Sequence, residues 1–322
     1  MGTVGAPDPR SEVDLPTQRF EPSAERWSPH RWTADLGPAL VGAIRESVGG
    51  DTGERVAHRH GVVWTGTFTP SGEAAGLSDY AGFRGGSIEA VARISALRGR
   101  LGARGTIGLA TKLLPAGGEV TDLVAMSLDV FPVARARGFI ALLKVRRSGG
   151  IRELGGMLTM LLTGQVSASA LARSVMDGAR RHVPEQTTFH GVHTFRLVRS
   201  TNAALQSERR PFRYRWRPGG TTAGAPQDGS MRFVLELVLG DMAWPRVDDP
   251  TWRWPAHAPT VPAGTLVLDE QMEREPPELA FNPLVLAPGL EPGGDDLLSD
   301  RAGAYAVAHV ARVRQQRNHP KP

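Results

Sequence analysis

Eight runs of alternating or β-branched residues constrain the fold of this chain more than any other feature of its sequence. Four of them lie between about residues 54 and 131 and four between about residues 193 and 270, separated by turns rich in glycine and proline. Helical periodicity divides the two sets at 138–183 and is also present at 33–48 and near the C-terminus. The sequence therefore predicts an α+β fold, an antiparallel barrel with flanking and appended helices.

Residues 1–32 lack this periodicity. They are rich in proline, serine and charge, which predicts a flexible N-terminal arm ahead of a single domain over 33–322. The first residues, MGTVGAPDPR, have neither the basic nor the apolar region of a signal peptide. The longest apolar run, GGMLTMLLTG, falls short of the ~20 residues that a membrane helix needs. We therefore expect a cytoplasmic protein without a membrane-inserted segment.

The chain contains no cysteine, which excludes thiolate nucleophiles, cysteine-bound zinc and iron–sulfur clusters. Any metal must be bound by histidine, tyrosine or carboxylate, or be part of an organic cofactor. The net charge of +5 comes almost entirely from arginines that are scattered among carboxylates. This pattern disfavours a nucleic-acid partner, and it favours the forked recognition of carboxylates or phosphates.

The C-terminal stretch DRAGAYAVAHVARVR carries one of only three tyrosines in the chain. On a helix, Arg301, Tyr305, His309 and Arg312 share a face on which the other residues are small. An arginine one turn away favours an ionised phenolate, which is a suitable oxygen ligand for ferric iron, and tyrosine is a known axial ligand of haem. An ordinary packed tyrosine can have the same spacing, so the rest of the chain has to decide between the two interpretations.

Several segments of the chain resemble haem catalases, in the same order, from about residue 50 to 314. They are ERVAHRHG, VARIS, GVHTFRLV, FRYRWRP, DDPTWRWP, VPAGTLVLDE and LAFNPLVLAPGLEPGGDDLLSDR, followed by the tyrosine helix. The chain is shorter than a standard catalase and is similar to the minimal catalase-like haem peroxidases. The resemblance implies a catalase-type antiparallel eight-stranded β-barrel and haem b, with ferric iron held by an axial tyrosinate.

The resemblance also implies roles for residues on the proximal side of the haem. Tyr305 would be the iron ligand, and Arg301 would hydrogen-bond its phenolate and keep it ionised. His193 and Asp295 would orient Arg301, with Asp296 as an alternative to Asp295.

On the distal side, the resemblance implies that His58 is the acid–base residue, because it follows Arg55 in an Arg-x-x-His pattern. His60 competes for this role, since residues two apart on a strand share a face. Ser95 would hold the histidine.

Three arginines, Arg55, Arg93 and Arg312, match those that bind the haem propionates. His309 lies on the same helix face as Tyr305 and is expected to contact the cofactor. The phenylalanine that would stack on the haem remains open among Phe68, Phe131 and Phe139.

The sequence departs from the catalase pattern at two positions. Met126 stands where catalases place a distal asparagine, and a thioether cannot donate the hydrogen bond of an amide. Ala57 replaces the usual valine before the distal histidine, which would widen access for bulkier hydroperoxides. We therefore expect poor dismutation of hydrogen peroxide.

The resulting prediction is a haem b peroxidase that responds to oxidative stress. It would reduce organic hydroperoxides, and hydrogen peroxide more slowly, by O–O heterolysis while oxidising a small organic donor. The alternatives are true catalase activity, rearrangement of fatty-acid hydroperoxides, a non-catalytic haem- or lipid-binding barrel, and a non-haem metal site on His58 and His60. We expect a monomer or a small homo-oligomer.

Overall fold

A computed structural model describes residues 36–48, 55–116, 118–200, 207–219, 229–276 and 278–318. The predicted arm at 1–32 lies outside these residues. The arm and the single domain over 33–322 therefore stay predictions.

Eight antiparallel strands form a closed barrel, and a short ninth strand pairs with the fifth. The strand order is β4-β3-β2-β1-β8-β7-β6-β5, and a β4–β5 contact between Met126 and His190 closes the ring. This confirms the predicted eight-stranded barrel. The strands are β1 Gly61–Pro70, β2 Ile88–Ala96, β3 Ile107–Leu114, β4 Thr121–Met126, β5 Phe189–Ser200, β6 Ser207–Pro218, β7 Met231–Leu239, β8 Thr260–Gln271 and β9 Leu290–Pro292.

Large apolar side chains fill the inside of the barrel. Phe68 and Trp216 meet there edge to face, with ring centroids 6.1 Å apart. Successive strand residues point to opposite faces, so Ala92 and Ile94 of β2 belong to this core while Arg93 and Ser95 point outward. The predicted site residues Arg93 and Ser95 therefore lie on the outer face of the barrel.

Five α-helices of the described residues lie outside the barrel. They are α1 Leu36–Val48, α2 Ala136–Ser148, α3 Gly150–Leu162, α4 Ala168–Gly178 and α5 Asp296–Asn318. Helix α1 crosses α5 so closely that a Cβ on Gly37 would lie 2.9 Å from the carbonyl carbon of Gly303. Leu40, Leu142 and Leu297 belong to a second apolar core that the helices share. Within the described residues, no helix has the length and apolar character needed to cross a bilayer.

Candidate active site

A cavity lies between the outer face of strands β2 to β4 and helices α1 and α5. It encloses about 1110 Å³ of empty space, its open mouth included. It brings together almost all of the site residues that were predicted from the sequence. Those that line it are Arg55, His58, Arg93, Ser95, Met126, Arg301, Tyr305, His309 and Arg312.

The tyrosine on α5 begins a chain of hydrogen bonds that runs into the protein. Arg301 donates from Nη2 to Tyr305 Oη at 2.8 Å and from Nη1 to His193 Nε2 at 3.1 Å. His193 Nδ1 lies 2.6 Å from Asp295 Oδ2, and Asp295 is fully enclosed. Asp296 is exposed and pairs with Arg135 instead. The two candidate carboxylates are thus distinguished by geometry, and Asp295 is the one that supports the arginine.

The donors in this chain fix the tautomer of His193. Arginine has no acceptor, so His193 Nε2 must accept from Arg301, and its proton must sit on Nδ1 and be donated to Asp295. Burial lowers the pKa of His193, and the nearby Asp295 carboxylate only partly offsets this. A neutral imidazole therefore holds Arg301 in place, and the positive charge beside Tyr305 stays on the guanidinium.

His58 lies in a bend before β1, where its φ of +55° is the one positive value of a non-glycine residue in the described part of the chain. Such a backbone is costly and needs support from its surroundings. Arg93 supplies this support, since its Nη1 donates to the His58 carbonyl at 2.8 Å and its Nη2 to the Arg59 carbonyl at 3.1 Å. The sequence predicted that the first strand already includes His58. This prediction is wrong, because β1 begins only at Gly61. The bend turns His58 toward the cavity, and His60 is exposed and does not line it.

The imidazole of His58 is held by two neighbours. Ser95 Oγ lies 3.1 Å from His58 Nδ1. A Cβ on Gly108 would lie 3.1 Å from His58 Cε1, so any larger residue at this point of β3 would push the ring aside by a few tenths of an ångström. Burial, and then the positive charges of Arg93 and Arg301, lower the pKa of His58 to about 4. The ring is therefore a neutral base at physiological pH.

Three arginines and one glutamate form a charged cluster at one end of the cavity. Glu275 accepts from Arg55 Nε at 2.6 Å and from Arg93 Nε at 2.7 Å. Arg312 Nη2 donates to the Leu279 carbonyl at 2.7 Å, and its buried Nε has no hydrogen-bond partner. The cluster retains a net charge of +2, which is complementary to a ligand with two carboxylates.

Burial and the nearby positive charges lower the pKa values of two residues in and beside this cluster. Burial, together with the charges of Arg312 and Arg93, lowers the pKa of Arg55 to about 9, and Glu275 works in the opposite direction. Burial, and then Arg312 and Arg55, lower the pKa of His309 to about 4. His309 therefore adds no positive charge to the cluster near neutral pH.

A second cavity meets the first at His58, Ala57 and Met126. It runs between α2 and α4 and encloses about 1580 Å³, its mouth included. Two of the three candidate stacking residues, Phe131 and Phe139, line it and contact each other with centroids 5.2 Å apart. Phe68 instead lies in the barrel core.

Two residues of the site were not found from the sequence. Glu275 lies in a charged loop, EREPPE, in which nothing distinguishes it from its neighbours. Gly108 is one of 38 glycines, and only the position of the imidazole explains it. The described residues also contain no group of three or more His, Asp or Glu placed to hold a metal ion.

The residues present fit a haem. Tyr305 presents a phenol oxygen that accepts from a guanidinium, and Ala304 and Ala308 of the same helix leave space in the cavity wall. The orphaned Nε of Arg312 and the net positive cluster suit propionates. The same cavity contains His58, so its imidazole and the phenol of Tyr305 share one space.

Comparisons with known proteins agree with this fold. No family model matches the chain. Over 312 residues the chain is 28% identical to the catalase-related peroxidase of Mycolicibacterium paratuberculosis, covering 88% of this chain and 96% of that protein. It is 25% identical over 308 residues to the catalase-related peroxidase of Synechococcus elongatus, covering 85% of this chain and 88% of that protein.

Solved catalases share the fold at lower identity. A fungal catalase and catalase A from Saccharomyces cerevisiae both superpose with a TM-score of 0.66 at 19% identity over 80% of this chain. The chain spans only 59% and 61% of their respective lengths. The resemblance inferred from sequence motifs is confirmed: this chain is a homologue of proteins named catalase-related peroxidase and is built on the catalase fold.

Proposed function

We propose that this protein is a haem b peroxidase that reduces organic hydroperoxides, and hydrogen peroxide more slowly, while oxidising a small organic donor. The reaction ROOH + AH2 → ROH + H2O + A breaks the O–O bond and takes two electrons and two protons from the donor. The observation that carries the proposal is that Tyr305, with its hydrogen-bonded Arg301, shares one cavity with His58 and Ser95. The names of the two peroxidase relatives support the enzyme class.

The proximal residues would hold the cofactor. Haem, when bound, supplies the iron at which the peroxide is reduced. Tyr305 Oη would bind the iron, and the guanidinium of Arg301 would stabilise the phenolate by a charge-assisted hydrogen bond. Neutral His193 and Asp295 keep that guanidinium in place. The propionates would be bound by the arginine cluster, with His309 next to Arg312.

His58 would act as the acid–base residue. In the tautomer that donates Nδ1–H to Ser95 Oγ, the Nε2 of His58 keeps a free lone pair. That nitrogen would take the proton from the hydroperoxide and return it to the leaving oxygen. The low pKa of His58 keeps this base available over the physiological range.

Two residues favour bulky hydroperoxides over hydrogen peroxide. Met126 lies where both cavities meet and offers only a weakly accepting sulfur. It cannot position hydrogen peroxide as a reductant by donating a hydrogen bond. Ala57 leaves the passage between the cavities open to a larger substrate. We therefore expect donor oxidation to dominate over dismutation.

Steady-state assays of the haem-loaded protein test this function. Donor oxidation with cumene hydroperoxide should be faster than oxygen release from hydrogen peroxide, and Met126→Asn should raise oxygen release. Fast oxygen release by the wild type would instead identify a catalase. Isomerised fatty-acid hydroperoxide formed without a donor would identify a rearrangement enzyme. Turnover no faster than that of free haem would identify a binding protein.

The cellular location and the assembly state remain predictions of the sequence. Fractionation of cells that produce the protein would test the expected cytoplasmic location. The molar mass in solution would test the expected monomer or small homo-oligomer.

A further inference from the structure

Helix α3 exposes a continuous apolar stripe. Ile151 is 90% exposed, Leu154 73%, Leu158 57% and Leu162 80%. Their spacing of three and four residues puts all four on one side of the helix. Single exposed apolar residues are ordinary, but a row of four large ones marks an interaction surface.

The other side of α3 is already used for packing. Met160 is buried in the core that the helices share, and Met157 and Leu161 pack against it. Helix α2 is so close that a Cβ on Gly156 would lie 2.9 Å from both methyl carbons of Val145. Helix α3 is therefore firmly packed on one side, and the apolar stripe lies on its other side.

Positive charge is concentrated in the segment of the chain that contains this stripe. Residues 135–181 contain nine basic and two acidic residues, a net charge of +7, whereas the whole chain carries +5. The rest of the chain is therefore net −2. The basic side chains of α2 and α3 that are exposed include Arg137, Lys144, Arg146, Arg147 and Arg152, of which Arg147 pairs with Glu46 of α1. An exposed apolar stripe beside lysines and arginines is typical of a helix that lies in an anionic membrane interface.

A second copy of the chain fits this surface less well than a membrane does. A symmetric dimer through α3 would place the same patch on both partners. The basic residues around the stripe would then face each other and repel. Anionic lipid headgroups neutralise the same residues, and the acyl region takes up the apolar side chains.

The second cavity is connected to the same group of helices. Helix α2 packs on α3 with one side and lines the cavity with Phe139, Leu142 and Leu143 on another. Val175 of α4 also lines the cavity and is itself largely exposed. The cavity that reaches His58 is thus lined in part by the helix that packs against α3.

We propose that the stripe of α3, with its basic flank, docks this protein on an anionic lipid bilayer. Hydroperoxides of membrane acyl chains are then the substrates that reach His58 through the cavity between α2 and α4. This second statement rests on the proposed peroxidase function, but the docking does not.

Vesicle flotation of the full-length, haem-loaded protein tests the docking without any turnover. The probes are vesicles of equal parts phosphatidylglycerol and phosphatidylcholine, and vesicles of phosphatidylcholine alone. The wild type should float with the anionic vesicles, less with the neutral ones, and less at high salt. Leu154→Glu combined with Leu158→Glu should lower the bound fraction by roughly tenfold or more.

The matched control is Met242→Glu, because Met242 is 58% exposed in a turn far along the chain from α3 and should not alter flotation. Reduction of soluble cumene hydroperoxide should be unchanged in the α3 variant, so that a failure of the peroxidase function is seen separately. Equal flotation of the two variants would overturn the proposal. So would a wild type that does not float, or an α3 variant that loses only self-association.

Discussion

Acid pH provides a quantitative test of the environment of His58. Burial, together with Arg93 and Arg301, lowers its pKa from 6.5 to about 4. At pH 5 a group with that pKa is about 90% neutral, whereas a histidine with the ordinary value would be only about 3% neutral. The second-order rate constant for cumene hydroperoxide should therefore fall only slightly between pH 7 and pH 5. An unperturbed base would lose more than about tenfold over the same range.

Stopped-flow measurement of kcat/KM from pH 3.5 to 8 would give this profile, since that ratio reports the pKa of the free enzyme. His58→Ala should lose the rate and keep the haem. His60→Ala is the matched control and should retain both the rate and its pH dependence, because His60 is exposed and outside the cavity. An acid limb centred near pH 6.5, or equal losses in the two variants, would refute the reasoning.

Two further substitutions test the residues that hold the arginine cluster and His58 in place. Glu275→Gln should lower the free energy of unfolding by about 2 kcal/mol, less than for a fully buried pair because the side chains of Glu275 and Arg55 are 28% and 18% exposed. Burial alone would raise the Glu275 pKa, but Arg55 and Arg93 lower it overall, so the loss should be full at neutral pH and shrink as the carboxylate protonates in acid. In urea unfolding, the exposed Glu291→Gln serves as the control and should have no effect. Gly108→Ala should reduce kcat/KM by roughly tenfold while haem binding persists, because the added methyl displaces His58.

The sequence predicted the barrel and the tyrosine helix for different reasons. Turn residues and strand runs indicated many short antiparallel strands, but their closure into eight came from the resemblance to catalases. On α5, helical periodicity alone put Arg301 and Tyr305 on one face, and the 2.8 Å hydrogen bond agrees with that spacing. Periodicity is informative here because both residues lie on one regular element.

Other parts of the site depend on contacts between distant segments. The expected strand through His58 is wrong because the residues from Arg55 to His60 form a bend, and carbonyl contacts from Arg93 of β2 support it. Glu275 joins Arg55 and Arg93 across 220 and 182 residues of sequence. No local pattern predicts such a partner. The empty space between helices α2 and α4 likewise follows from packing that one sequence does not specify.

Haem binding by tyrosine variants tests the central claim most directly. The chain has three tyrosines, and Tyr80 is buried in the barrel core beside Phe83, away from the cavity. The haem content and absorbance spectrum of purified Tyr305→Phe should be compared with those of the wild type and of Tyr80→Phe. The account predicts that Tyr305→Phe loses haem and the spectral features of tyrosinate ligation while Tyr80→Phe keeps both. Full haem occupancy in Tyr305→Phe would contradict it.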